Sequence, residues 1–193
     1  PRLGENGAPA WPRGEDELHA RIITIRQVRV EEKEVDIDIA DHDGGLIADL
    51  ARDAVMGTEV GLMGPGGDDR RLEGDGIFLA ADATGLAAVA RLVEMASPDA
   101  SGMIFAEAAG GYDLKSYLPR SDQFEVLQSP KANFDADVLA KAETLPGGAT
   151  RFAFFAGEFD AAQAMRKIFK GRLGLDKTTQ SSTAYWRRGE VAQ

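Results

Sequence analysis

The sequence predicts an α/β domain on a mainly parallel sheet, preceded by a smaller antiparallel β part. Three observations carry this. From Ile77 onward, short apolar runs alternate with segments of helical periodicity, as expected of strands buried on both faces and covered by helices. Before that, Thr24–Val30 and Glu34–Ala40 alternate apolar with polar residues, the pattern of strands with one wet face. Between the two lies a polar, loop-like stretch, Asp68–Gly76, near which the domain boundary is placed.

Composition narrows the function classes. The 193 residues suffice for one large or two small domains, and 44% apolar with 28% charged content fits a globular chain. No apolar run is long enough for membrane insertion and the N-terminus lacks the apolar core of a signal peptide, so a cytoplasmic location is expected. Zero cysteines exclude disulfides, thiolate zinc sites, cysteine-ligated clusters and cysteine nucleophiles, and two histidines make a multi-histidine metal site improbable. A net charge of −10 argues against nucleic acid as a partner, because phosphate neutralisation needs a cationic face.

The elements follow in order. Pro1–Glu17 is rich in Pro, Gly and charge and reads as an extended lead-in. A first strand lies within His19–Val30 and a second spans Glu34–Ala40, with Val35, Ile37 and Ile39 inward and Asp36 and Asp38 outward; the Glu31–Glu34 stretch between them is a hairpin connection. Leu46–Val55 reads as a short helix and Glu59–Met63 as another strand. Then come strand Ile77–Ala81, helix Leu86–Met95, strand Gly102–Glu107, a loop to Asp122, strand Phe124–Leu127, helix Ala136–Glu143, strand Arg151–Ala156, helix Asp160–Gly171, and a last strand within Thr178–Trp186. The expected domains are a lead-in at 1–19, the β part at 20–72 and the α/β part at 73–193.

Several constellations bear on chemistry. The apolar strand Ile77–Ala81, a turn containing Asp82, Thr84 and Gly85, and the helix from Leu86 form a unit whose helix N-terminus can offer N–H groups to a phosphate. The same unit serves equally well as α/β scaffold, since the turn lacks GxGxxG. Glu107 stands where dinucleotide folds place an acid for the adenosine ribose, which would favour NADH over NADPH; it could also be a plain exposed acid at a strand end. In Phe152–Glu158 the phenylalanines belong to a core strand, leaving Ala156, Gly157 and Glu158 for ligand contact in a turn. Asp36, Asp38, Asp41 and Asp43 around His42 fail the calcium-loop spacing and read as a solvated strand edge, so no metal site is expected. Arg166, Lys167 and Lys170 read as the wet face of a helix, within a basic last third that also holds Arg172, Lys177, Arg187 and Arg188. No P-loop and no GxSxG nucleophile elbow is present.

Seven short motifs then occur in order: Arg21-x-x-Thr24-x-Arg26, Asp36-x-Asp38, His42-x-x-Gly45, Gly64-Pro65-x-Gly67, Asp82-x-Thr84-x-Leu86, Ala156-Gly157-Glu158 and Tyr185-Trp186-x-x-Gly189. From about Ala20 to the end the chain resembles the siderophore-interacting proteins, flavin-dependent ferric-siderophore reductases related to ferredoxin reductases. The resemblance implies a ferredoxin-reductase-like fold: a partial antiparallel flavin-binding β-barrel, then a Rossmann-like nicotinamide-binding domain with a mainly parallel sheet.

It also implies roles. Arg21 would pair with an FAD phosphate, Thr24 would lie near the isoalloxazine, and His42, Gly44 and Gly45 would shape the phosphate turn. Asp82, Thr84, Leu86, Ala156, Gly157 and Glu158 would line the nicotinamide cleft, with NADH or NADPH as electron donor. Trp186, Arg187 and Arg188 would meet the anionic ferric siderophore. No catalytic side chain is implied, because the flavin carries the redox chemistry. The chain departs from the family pattern at Ile23, where the family tyrosine would stack for about 0.5–1.5 kcal/mol beyond burial, at Ala48 in place of a serine, at Leu50 in place of a tryptophan, and at Ala83. The start just before the Arg-x-Tyr-Thr strand implies missing barrel strands, to be supplied by an N-terminal segment or a partner. The implied function is NAD(P)H-dependent reduction of ferric siderophores with release of iron(II). The alternatives are a degenerate, non-catalytic nucleotide-binding or interaction module and a general NADH:flavin reductase.

Overall fold

The computed structural model of the chain describes residues 2–3, 9–10, 21–42, 45–64, 66, 71–108 and 113–189. Two short strands, β1 (Arg2–Leu3) and β2 (Pro9–Ala10), pair antiparallel within the stretch that reads as a lead-in. The hairpin follows as β3 (Ile25–Arg29) and β4 (Glu34–Ile37), joined by a turn in which Lys33 takes φ 58° and donates its N–H to the Val30 carbonyl. The expected inward row of β4 holds in part: Ile37 and Ile39 are partly buried, whereas Val35 is 40% exposed. Alternation marks the face that favours burial, and how far it is buried depends on what packs against it.

Helix α1 (Leu46–Asp53) ends before the expected Val55 and buries only Ala48; Leu46 and Leu50 are exposed. The strand expected at Glu59–Met63 does not form. The segment has no regular structure and exposes Val60, Leu62 and Met63. An isolated apolar run leaves its own N–H and C=O groups without a ladder, so β-propensity there has nothing to act on.

The rest is a five-stranded sheet. In chain order it contains β5 (Ile77–Ala81), α2 (Leu86–Met95), β6 (Gly102–Ala108), α3 (Leu114–Tyr117), β7 (Phe124–Pro130), α4 (Phe134–Thr144), β8 (Phe152–Glu158), α5 (Phe159–Lys167) and β9 (Gln180–Trp186). The strand order is β7-β6-β5-β8-β9 and every pair is parallel. The segment expected to be one loop up to Asp122 contains α3 and begins a 3₁₀ turn at Ser121. β7 runs on to Pro130, tolerated because β7 is an edge strand. A π-turn, Ile168–Arg172, completes α5.

Period-2 alternation along β5 explains the layers. Ile77, Leu79 and Ala81 pack under Val89 and Val93 of α2, while Phe78 and Ala80 face Val138 of α4, Met165 of α5 and Phe169. Phe78 and Phe169 meet edge-to-face at 6.3 Å. Each such fully buried side chain is worth about 1.5–3 kcal/mol over exposure. Two of the basic residues are structural: Arg172 donates to the Ala142 and Leu145 carbonyls at the end of α4, and Arg166 to the Ser182 carbonyl of β9.

Candidate functional site

In a parallel sheet the loops at the carboxyl ends of the strands form the crevice that takes ligands. Here four strands deliver Asp82, Glu107, Glu158 and Trp186 to that edge. Asp82 is 3% exposed. Its Oδ1 accepts the backbone N–H of Thr84 at 2.9 Å and the Thr84 hydroxyl at 2.5 Å, and its Oδ2 accepts the indole N–H of Trp186 at 2.6 Å. Burial raises its pKa above the ordinary aspartate value, against the lowering effect of these bonds.

Glu107 is buried rather than an exposed strand-end acid. Burial first, then the charge of Asp82, raises its pKa, while Lys131 and the backbone N–H of Ala83 act the other way. Ala156 and Gly157 lie inside β8 and are buried, not in a turn as expected, so no side chain of theirs faces a ligand. Glu158 is the N-cap of α5, accepting from the N–H groups of Asp160 and Ala161 and, on its other oxygen, from the Arg188 N–H. Burial would raise its pKa, but the three N–H groups win and lower it. The turn N–H groups of Thr84, Asp160 and Ala161 are therefore satisfied by the chain's own carboxylates. The N-cap of α2, Gly85, makes no side-chain hydrogen bond, so the first-turn N–H groups expected to meet a phosphate are left without a side-chain cap.

Trp186 is 37% exposed at the end of β9. Beyond it the Arg187 guanidinium lies 3.7 Å from the Phe159 ring centroid, and Arg188 pairs with Asp135 of α4 at 2.9 Å. Asp135, Leu139, Glu158 and Arg188 line a cleft here. The role of Asp135 is not legible in sequence, because its partner is 53 residues away. The Asp82–Trp186 contact spans 104 residues and left no sequence signal either, whereas the Asp82-x-Thr84 spacing is the signal of an Asx-type turn.

The second cluster lies before the sheet. Arg21 and Thr24 are partly buried at the entry to β3, and His42 packs on Gly45, where an added Cβ would sit 2.3 Å from His42 Cε1. Gly44 lies outside the described residues. Gly45 caps α1 with no side-chain bond, leaving the first-turn N–H groups of an eight-residue helix without a side-chain cap. Arg52 donates to Asp49, Asp41 and the His42 carbonyl, holding the His42 segment against α1. An uncapped N-terminus beside His42, with a glycine required for close approach, fits the phosphate end of FAD. Among the described residues no group of three or more His, Cys, Asp or Glu is arranged to hold a metal, and no helix is long and apolar enough to cross a membrane.

A partial antiparallel β unit followed by a five-stranded, Rossmann-like parallel domain defines a ferredoxin-reductase-like flavoprotein class. The particular family is fixed by sequence. The siderophore-interacting FAD-binding domain matches residues 1–69 and the siderophore-interacting protein domain matches residues 74–189, so the chain belongs to the siderophore-interacting protein family and carries its FAD-binding domain. It is 32% identical to the ferric vibriobactin reductase ViuB of Vibrio cholerae over 97% of this chain and 71% of that protein. Among solved structures, the siderophore-interacting protein SipS from Aeromonas hydrophila matches with 26% identity and TM-score 0.74, over 98% of this chain and 76% of that one. The siderophore-interacting protein from Acinetobacter baumannii, at 23% identity and TM-score 0.77 over 92% and 74%, shares the fold.

Proposed function

We propose that this chain is an FAD-dependent reductase that accepts electrons from NADH, in preference to NADPH, and delivers them singly to the iron of a ferric siderophore. Iron then leaves as iron(II), which hard oxygen donors hold less well. The observation that carries this reading is the tandem of the two family domains on a chain 32% identical to a ferric vibriobactin reductase. Bound FAD would supply the exchange between a two-electron donor and one-electron acceptors.

The chain's own groups then have these tasks. Arg21, His42 and Gly45 would hold the FAD phosphates, a role the motif extends to Gly44, and Thr24 would serve the flavin ring. Thr84, Glu107 and the carboxylate-lined sheet edge meet the hydroxyls of the donor; a 2′-phosphate would be repelled there. Trp186, Arg187 and Arg188 form the rim for the anionic chelate, with part of the Arg188 charge offset by Asp135. In this reading the FAD unit spans 20–72, the nicotinamide unit 73–193, and the protein works in the cytoplasm on a small-molecule substrate.

The test uses the full chain. FAD is titrated by fluorescence quenching, and ferric citrate reduction by NADH is followed with a chromogenic iron(II) trap. Saturable FAD uptake with FAD-dependent iron(II) production supports the proposal. Absence of FAD uptake favours a non-catalytic module, the reading that Ile23 and the exposed apolar hairpin support. Equal reduction of free flavin with no response to the chelate favours a general flavin reductase.

A further inference from the structure

The geometry points to Asp82 as the positioning residue of the sheet edge: its enclosed carboxylate fixes the Trp186 indole against the turn that carries Thr84, and itself touches no ligand. Three segments distant in sequence meet on this group. Thr84 supplies two donors to Oδ1, Trp186 supplies one to Oδ2, and Gly157 packs so closely that a Cβ would lie 2.8 Å from Oδ2. A carboxylate has about four acceptor positions; three are filled by the fold and almost none of the residue reaches solvent. The exposed member of the group is the indole.

Holding the N–H fixes the plane of the ring at the end of β9, and a fixed aromatic face presents its area without an entropy cost on binding. The inference rests on the reading of Trp186 as a ligand contact. It reassigns Asp82, however, from contact to support. It also makes the Asp82-x-Thr84, Ala156-Gly157-Glu158 and Tyr185-Trp186 motifs one unit rather than three.

Asp82 titration gives a readout independent of turnover. The charged groups around it are Glu107 at the end of β6, Asp135 at the start of α4, and Glu158 at the end of β8 with the Arg188 that it and Asp135 engage. Protonating Asp82 replaces the charged acceptor of the indole with a neutral one, a weaker partner.

In the full chain carrying Trp11→Phe, Trp186 is the remaining tryptophan. Its emission is followed from pH 7 to pH 3 with helix content monitored by circular dichroism. The expected result is a shift with its midpoint above the ordinary aspartate value of about 3.9, lost on adding Asp82→Asn, whose single acceptor oxygen can serve Thr84 or the indole but not both. Thr84→Val, which keeps the indole bond, moves the midpoint further up. A flat emission profile with intact helix content, or a shift that survives Asp82→Asn, overturns the inference. Should Asp82→Asn fail to fold, an unmoved midpoint in Thr84→Val overturns it and an upward one supports it. In turnover, Asp82→Asn raises the KM for NADH or ferric citrate about tenfold, the size of one charge-assisted hydrogen bond, with kcat little changed. Because emission needs no turnover, a chain with no reductase activity defeats the reductase reading alone.

Discussion

Residues 71–189 and residues 21–64 both carry regular apolar patterning and bury it to different extents. In the first region β5 and β8 are buried along their whole length, between helices on both faces. In the second, Ala48 is the one fully buried apolar residue among those described, while Ile22, Met56, Leu62 and Met63 are largely exposed. Patterning therefore states which face favours burial, and the neighbouring elements decide whether it is buried. The sheet region has those neighbours within itself, because α2 covers one face of the sheet and α4 and α5 cover the other.

The contrast predicts unequal mutational costs. Phe155→Ala, at a fully buried position, should destabilise by about 3–5 kcal/mol through lost transfer energy and an unfilled cavity. Val60→Ala should stay within about 0.5 kcal/mol. Denaturant unfolding of the two variants decides the matter, and a cost above about 1 kcal/mol at Val60 would mean that the first region has a covering layer in solution. Two glycines with left-handed backbone sharpen the comparison. Gly57 takes φ 94° with nothing within 4 Å of an added Cβ, whereas Gly76 takes φ 76° and its Cβ would lie 2.1 Å from the Ala149 carbonyl oxygen. Gly57→Ala should cost about 1 kcal/mol of backbone strain, and Gly76→Ala about 2 kcal/mol or more, because the β5 entry must shift as well.

The same difference explains what was legible in the sequence. The sheet region reads well: α2 has the expected ends, and β5 through β9 occur in the expected places, because buried parallel strands and helices with one apolar face are specified by local composition. Glu59–Met63 fails because a strand needs a partner that no local pattern records. At the candidate site the individual motifs are legible, but not their joining. Asp82, Gly157 and Trp186 meet only after strand order β5-β8-β9 is set, and the buried state of Glu107 depends on the turn of a neighbouring strand. The likeness of the motif series pointed to the family, which the residue patterns by themselves left open.

A smaller effect separates the charge patterns. Asp176 lies just before β9 and is fully wet, yet its carboxyl titrates at about 2, held down by the Thr178 hydroxyl and N–H and by Thr179. A folded-state value below the unfolded one, about 3.9, gives stability that is present above pH 4 and lost as the pH falls through 2. Asp176→Asn keeps the acceptor oxygen and removes the charge, so its unfolding deficit should be full at pH 7 and should close between pH about 4 and 2. Asp82 works in the opposite sense: its raised value is a cost at neutral pH that lessens on acidification.

The smallest predicted effect tests whether the two regions are energetically joined. Arg26 of β3 reaches Glu94 of α2 at 3.3 Å and lies 5.5 Å from the Tyr117 ring centroid, and the Tyr117 hydroxyl donates to Asp38 just beyond β4. Burial and the Asp38 carboxylate raise the phenol pKa above its ordinary value, so Tyr117 remains a donor across the working pH range. A double-mutant cycle on Arg26→Ala and Glu94→Ala should give a coupling of about 0.2–1 kcal/mol that weakens with added salt, as for partly exposed pairs. Tyr117→Phe should cost about 1 kcal/mol for the lost hydrogen bond, with little dependence on salt. Zero coupling in the cycle together with a silent Tyr117→Phe would show that the hairpin rests on the sheet domain without being held by it. A salt-sensitive coupling beside a salt-insensitive phenol would show the hairpin held at β3 by an ion pair and at the end of β4 by one phenol hydrogen bond.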